Sequence, residues 1–214
     1  MPVNQETFDS IAITGHRDYP DRAQLFRGLD QLKAREYYFG GARGIDNDAL
    51  KYIARTQPGS LRTVVVPNRL IDQPVETRMV IKNNATKIIE LKNTGTDRYR
   101  IRNQYMVDRS QKTVGFYDFR GKGGTYQTIY YAKSKGKLLK VNPLVKFDER
   151  EILSMNSKQQ RIWIKQMQRI KVDLPSIKQI ILKIINQKLG MTVHDFAEYV
   201  GRDDVNTLEE MWLT

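Results

Sequence analysis

The chain has 214 residues, a 40% hydrophobic fraction and a formal net charge of +12. That length buries a sizeable core, and the composition excludes an intrinsically disordered chain. Cysteine is absent, which excludes disulfides and thiolate metal sites, and no window approaches the run of about eighteen apolar residues that a membrane-spanning helix needs.

Taken in chain order, MPVNQETFDS opens the sequence without the basic and apolar regions of a secretory signal. Together with the lack of cysteine, this predicts a cytoplasmic protein. IAIT (11–14) is an apolar run without alternation, as expected of a strand buried on both faces of a parallel sheet. TGHR (14–17) follows as a turn, and PDRAQLFRGLDQLKA (20–34) reads as a helix with Pro20 in its first turn and Leu25, Leu29 and Leu32 on one face. EYYF (36–39) is the next strand. GGARG (40–44) then packs three glycines and Arg43 into five residues before the helical run DNDALKYIART (46–56), whose Asp46 is placed to cap orphan amides.

LRTVVV (61–66) and TKIIEL (86–91) are further strands. RNQYMVDRS (102–110) is predicted to be a helix that starts near Arg102, and TVGFYDF (113–119) a strand. GKGGT (121–125) leads into the helix TYQTIYYAKSKG (125–136), and KLLKV (137–141) is the last strand candidate. Strand and helix alternate throughout, which defines an α/β fold with a parallel sheet.

Beyond Asn142-Pro143 no strand pattern remains. DEREILSMNSKQQRIWIKQMQRIK (148–171), PSIKQIILKIINQKLG (175–190) and TVHDFAEYVG (192–201) read as helices. Residues 1–142 are therefore expected to form an α/β domain and 143–214 a helical appendage. TVHDFAEYVG, RDD and VNTLEEMWL have the rhythm of a helix-turn-helix. However, Glu209 and Glu210 are ill suited to reading DNA, so packing or homo-oligomerisation through Trp212 is the expected role of this tail.

The charge is uneven. Residues 1–142 carry 25 Lys and Arg against 14 Asp and Glu, and the remainder carries 11 against 10. Between 98 and 140 eleven cations face only Asp108 and Asp118. A field of that sign draws polyanions, nucleic acid or nucleotides first among them.

Three glycine-bearing turns, at 14–17, 40–44 and 121–125, each join a strand to a helix. In a parallel sheet such turns share the carboxyl edge, where ligands bind and where helix N-termini favour phosphate. The candidate phosphate-binding residues are Thr14, Gly15, His16 and Arg17 in the first turn. Gly41, Ala42, Arg43, Gly44 and Asp46 follow in the second, and Gly123, Gly124 and Thr125 in the third. Arg102 and Asn103 join them, arginine as a fork for phosphate oxygens. Asp46 and Asp108 are expected to cap helices or orient arginines. His16 is expected to be a polar turn residue rather than a catalytic one. No His, Asp or Glu cluster has metal spacing, there is no GxxxxGK[ST] loop, and no metal or cofactor is expected.

GGARGID (40–46), RNQYMVDRSQKTVGF (102–116) and GGTYQTIYYAKSKGK (123–137) fall in an order that resembles the core of DNA processing protein A, DprA. The wider superfamily includes the LOG-type nucleotide phosphoribohydrolases and nucleotide-sensing domains. The resemblance covers roughly residues 10–142 and implies a Rossmann-like sheet with helices on both faces, followed here by the all-helical appendage. It further implies a non-catalytic binding protein for single-stranded DNA or nucleotide phosphates, acting in DNA processing or recombination. A LOG-type nucleotide hydrolase and a sensor of a nucleotide-derived signal are the alternatives. The LOG pattern carries a glutamate at the place where this chain has Thr128, so the resemblance points away from hydrolysis.

Overall fold

The computed structural model describes residues 6–19, 22–144, 147–172, 180, 181, 183 and 184. The chain divides into two compact units, 1–145 and 146–214. In the first, six strands alternate with five helices: β1 (Thr7–Gly15), α1 (Arg22–Asp30), β2 (Lys33–Phe39), α2 (Ile45–Thr56), β3 (Leu61–Val66), α3 (Val75–Asn84), β4 (Lys87–Glu90), α4 (Arg98–Arg109), β5 (Lys112–Tyr117), α5 (Gly124–Ser134) and β6 (Leu138–Pro143). All strand pairs are parallel, in the order β4-β3-β2-β1-β5-β6.

The apolar runs conceal a period of two. Ile11, Ile13, Tyr37, Phe39, Val64, Val66, Val114 and Phe116 point to one face and join Leu25 and Leu29 of α1, Leu50 and Ile53 of α2 and Ile81 of α3. Ala12, Tyr38 and Val65 point to the other face, with Met106 of α4. Val107 packs there with Ile129 and Ala132 of α5 beneath Val141. Helices therefore cover both faces, and a strand whose alternate residues are both buried shows no amphipathic signal in sequence. Tyr37 illustrates how polar atoms are handled inside this core. Its ring is fully buried, and its hydroxyl donates to Gln57 Oε1 at 2.8 Å. Tyr37→Phe leaves that acceptor without its donor and should cost about 1–2 kcal/mol. The change should read as a lower urea midpoint at unchanged slope.

Several boundaries differ from the sequence reading. The first helix ends at Asp30 and β2 already begins at Lys33, because the Leu32 amide closes a turn on Leu29 O at 2.9 Å. The α3 helix is an addition to the expected elements. It buries only Thr77 and Ile81, so its apolar stripe is too thin to stand out. The α4 helix starts at Arg98 rather than near Arg102. The domain limit expected at 142 falls inside β6, whose position at the sheet edge tolerates Pro143 at its end.

In the second unit the long helix expected over 148–171 is two helices, α6 (Glu149–Ser154) and α7 (Ser157–Arg169). Asn156 interrupts it with a reciprocal cap: its Oδ1 accepts from the Gln159 amide, and Gln159 Oε1 accepts from the Asn156 amide, both at 3.0 Å. The helix expected over 175–190 is described only at Ile180, Ile181, Lys183 and Ile184, which are helical. The run 192–201, the helix-turn-helix reading and Trp212 lie outside the described residues. Among the described residues no helix is long and apolar enough to cross a membrane.

Candidate phosphate-binding cavity

The strand order reverses direction between β1 and β5, which opens a crevice beyond their carboxyl ends. A cavity of about 600 Å³ lies there. Its walls come from the end of β1 (Thr14, Gly15, His16, Arg17, Asp18), the turn after β2 (Gly40, Ala42, Asp46), α4 (Tyr99, Arg102, Asn103, Met106) and the loop into α5 (Arg120, Lys122, Gly123, Gly124, Thr125).

Eleven of the fourteen residues singled out in sequence line this cavity, and Gly41, Arg43 and Gly44 do not. Gly41 faces inward: a Cβ on it would meet Val64 at 2.9 Å and Ile81 at 3.2 Å. Arg43 is 68% exposed, stands 3.6 Å from Asp18, and lines a neighbouring hollow with Gly44. The glycines of GGARG are thus taken up by close contacts within the protein. At Gly40, a Cβ would lie 2.6 Å from Arg102 Cζ and 2.7 Å from Asp46 Oδ2. Only a bare backbone leaves room for both groups there.

Asp46 and Arg102 are both buried, at 8% and 7% exposure. Asp46 lies within the first turn of α2, whose N-cap is Gly44, and its Oδ2 accepts from the Ala42 amide at 3.1 Å. It therefore ties down the turn rather than the helix end. Burial raises the Asp46 carboxyl above its ordinary 3.8, with Arg102 and the amides of Ala42 and Gly40 pulling the other way. Burial lowers the Arg102 guanidinium below its usual value, with Asp46 opposing. Arg102 Nε also donates to Asn103 Oδ1 at 2.7 Å, which fixes both side chains on one wall. Asp108 accepts from the Tyr131 hydroxyl at 2.9 Å and so joins α4 to α5 outside the cavity.

The opposite wall is the loop between β5 and α5. Phe119 adopts φ 62°, a left-handed conformation unusual for a residue with a side chain, and Gly121 and Gly123 follow at 71° and 96°. The Tyr117 hydroxyl accepts from the Gly121 amide at 2.6 Å, and Arg120 Nε donates to Asp118 Oδ2 at 2.6 Å. No side chain caps α5, and its first internal bond is Gln127 N to Gly123 O. Its first residues, Gly124 and Thr125, line the cavity, as does Lys122. Such a terminus carries the positive end of the helix dipole.

His16 closes the floor. It is 8% exposed, stacks on Tyr117 at 5.4 Å, and its Nε2 stands 2.9 Å from Asp118 Oδ1 but off the line of a hydrogen bond. Burial lowers its pKa below 6.5; Asp118 opposes this and Arg120 adds to it. At the rim, Tyr99 is 43% exposed, with the guanidinium groups of Arg98 and Arg17 at 5.1 and 5.8 Å from its ring.

Sequence reading missed Gly40, Asp18, Tyr99, Arg120 and Lys122 as wall residues. Arg120 was marked only by the basic stretch, Lys122 by that stretch and its place in GKGGT, and Gly40 only by its place in GGARG. Thr128, at the position of the LOG glutamate, is buried in α5 and donates its hydroxyl to Gly124 O at 2.7 Å. It turns back onto its own helix and does not line the cavity.

The fold and the cavity define an α/β protein of doubly wound type with a basic crevice at its topological switch point. The chain matches no protein-family model and no curated protein. Among solved structures it is similar to DNA processing protein A from Helicobacter pylori, a structure described for its single-stranded DNA binding mode. The TM-score is 0.53 at 16% identity, over 83% of this chain and 80% of that one. DNA processing protein A (DprA) from Streptococcus pneumoniae is matched at a TM-score of 0.47 and 17% identity, over 63% of this chain and 49% of that one. At such identities the likeness is one of fold.

Proposed function

We propose that this chain is a DprA-like binding protein that holds the phosphates of single-stranded nucleic acid or of a nucleotide in the β1/β5 crevice, without turning them over, in DNA processing or recombination. The observation that carries this reading is the start of α5. It has no side-chain cap, its first residues Gly124 and Thr125 line the cavity, and Lys122 and Arg120 line it with them. Backbone donors, a helix dipole and cationic side chains together are the ordinary chemistry of phosphate capture. Tyr99 at the rim offers a face on which a base can stack. Thr128, bonded within its own helix, supplies no carboxylate for glycosidic cleavage, and this favours binding over hydrolysis.

The test is a fluorescence-anisotropy titration of a labelled single-stranded oligonucleotide across a range of salt concentrations. Affinity should fall linearly on logarithmic axes as counterions are released, and Lys122→Ala should weaken binding and reduce the slope by about 0.7. Binding that is absent at low salt, or indifferent to salt, would overturn the proposal.

A further inference from the structure

We infer that His16 is the specificity-determining residue of this cavity: it takes up a proton when a terminal phosphate binds, so that the site prefers a phosphomonoester to an internal phosphodiester. The inference rests on the proposed phosphate-binding reading and goes beyond it by naming the kind of phosphate and the group that selects it.

The argument begins with an unmet bond. His16 is buried at the bottom of the cavity, yet its Nε2 has no aligned hydrogen-bond partner. A buried polar nitrogen left so is uncommon and signals a partner yet to arrive or a state yet to be reached. The carboxylate nearest to it, Asp118, turns Oδ1 toward the ring at 2.9 Å but is hydrogen-bonded by Arg120. Arg120 donates to Asp118 from Nε at 2.6 Å, from the second guanidinium nitrogen and from its backbone amide at 3.2 Å.

The groups that face the imidazole are few. Asp118 and Arg120 come from the loop after β5, the Tyr117 ring stacks from β5 itself, and Arg17 and Asp18 follow on its own strand end. From α2 the Ile45 amide takes only the His16 carbonyl, at 3.1 Å. With Asp118 shared with Arg120, its pull toward a protonated ring is outweighed by burial, which favours the neutral form.

Charge counting shows what a ligand does to this balance. The walls carry Arg17, Arg102, Arg120 and Lys122 against Asp18 and Asp46, with Asp118 behind Arg120. The surplus is a single positive charge. A diester phosphate, with one negative charge, neutralises it. A monoester dianion leaves one negative charge over, in a partly dry cavity where such an excess is costly. Arg120, half exposed and on the cavity wall, is free to turn from Asp118 to the phosphate. Asp118 is then released to His16, 2.9 Å away, and the ring gains both a counter-ion and a reason to be protonated. The proton comes from solvent and resides on the imidazole; no covalent bond changes.

The chain has two histidines, His16 and His194, so the ring signals can be assigned by His16→Gln. Imidazole NMR titrations of the whole protein should be run alone and with three probes: deoxyadenosine 5′-monophosphate, a 5′-phosphorylated trinucleotide and the same trinucleotide with a 5′-hydroxyl. Expected is a His16 pKa below 6.5 in the free protein. It should rise with a monoester-bearing probe and stay in place with the hydroxyl probe. Which of the two monoester probes acts tells whether the source is a free nucleotide or a strand end.

Isothermal titration in buffers of different ionisation heat should then count an uptake of up to about one proton near pH 7, and a monoester affinity that rises up to about tenfold per pH unit lowered. His16→Gln should abolish both. Equal movement of His16 by the hydroxyl probe overturns the inference, as does monoester binding without proton uptake, and in both cases phosphate binding itself stands. Failure of wild-type protein to bind any probe sinks the binding reading and this inference together.

Discussion

Arg102→Met should destabilise the α/β unit by about 3–5 kcal/mol, the order expected when a buried carboxylate, that of Asp46, loses the cation that opposes the cost of its burial. The side chain it replaces is buried at the point where α4 meets the turn after β2, beside Gly40, on which the Asp46 carboxylate also closes. Methionine fills much of the same space, so the loss is electrostatic rather than a matter of volume. Asp46 retains the Ala42 amide at 3.1 Å but loses the cation that holds its charge in a dry site. The melting temperature should drop on the order of 10 °C for a unit of this size.

Two controls separate this account from a packing defect. Asp46→Asn combined with Arg102→Met removes both charges, and the double variant should recover about 2 kcal/mol relative to Arg102→Met alone. The second control is pH. Asp46 is already raised above 3.8 by burial, and losing Arg102 raises it further. A carboxyl raised in the folded state binds its proton more tightly there than in the unfolded chain. Its penalty is absent below 3.8, where both states are protonated, and grows as pH rises through the folded value. The gap between variant and wild type should therefore narrow as pH falls toward about 4. A gap that ignores pH, or a single variant that loses less than about 1 kcal/mol, would mean that the pair is solvated.

How far these features can be read in the sequence depends on the range of the interaction. The strands were legible because burial on both faces leaves uninterrupted apolar runs such as TVVV. The turns of the carboxyl edge were legible because glycine and arginine cluster there. By contrast, α3 was not legible, since Val75 and Met79 remain exposed and only one side of one turn meets the core. The uses of the glycines were legible only in part. GGARG and GKGGT look alike as strings, yet the first is crowded by Arg102, Val64 and the backbone of Arg17, whereas Cβ atoms on Gly121 or Gly123 would meet nothing within 4 Å. That difference lies in partners about sixty residues away in one case and about thirty in another, and no local pattern encodes it. The His16–Asp118 pair spans the whole β1-to-β5 connection and is invisible for the same reason.

Gly44→Ala is the sharpest test of that distinction. Gly44 adopts φ 82° and ψ −131°, a region in which side chains are strained, and a Cβ there would run into the backbone of Arg17, 2.6 Å from its Cα. Backbone cannot swing aside as a rotamer can, so the strand end and the start of α2 must separate. Conformational strain and overpacking together should cost about 3 kcal/mol or more, and the bond from Ile45 N to His16 O at 3.1 Å should be the first to suffer. Hydrogen exchange at Ile45 should quicken more than at residues of β6, far across the sheet. Gly59→Ala is the matched control, with nothing within 4 Å of the added methyl group and no left-handed φ, and it should shift stability by no more than about 0.5 kcal/mol. If both variants melt alike, the turn has room to spare, and the close seat of α2 on the end of β1, which positions His16 and Asp46 in one cavity, is not a constraint of this fold.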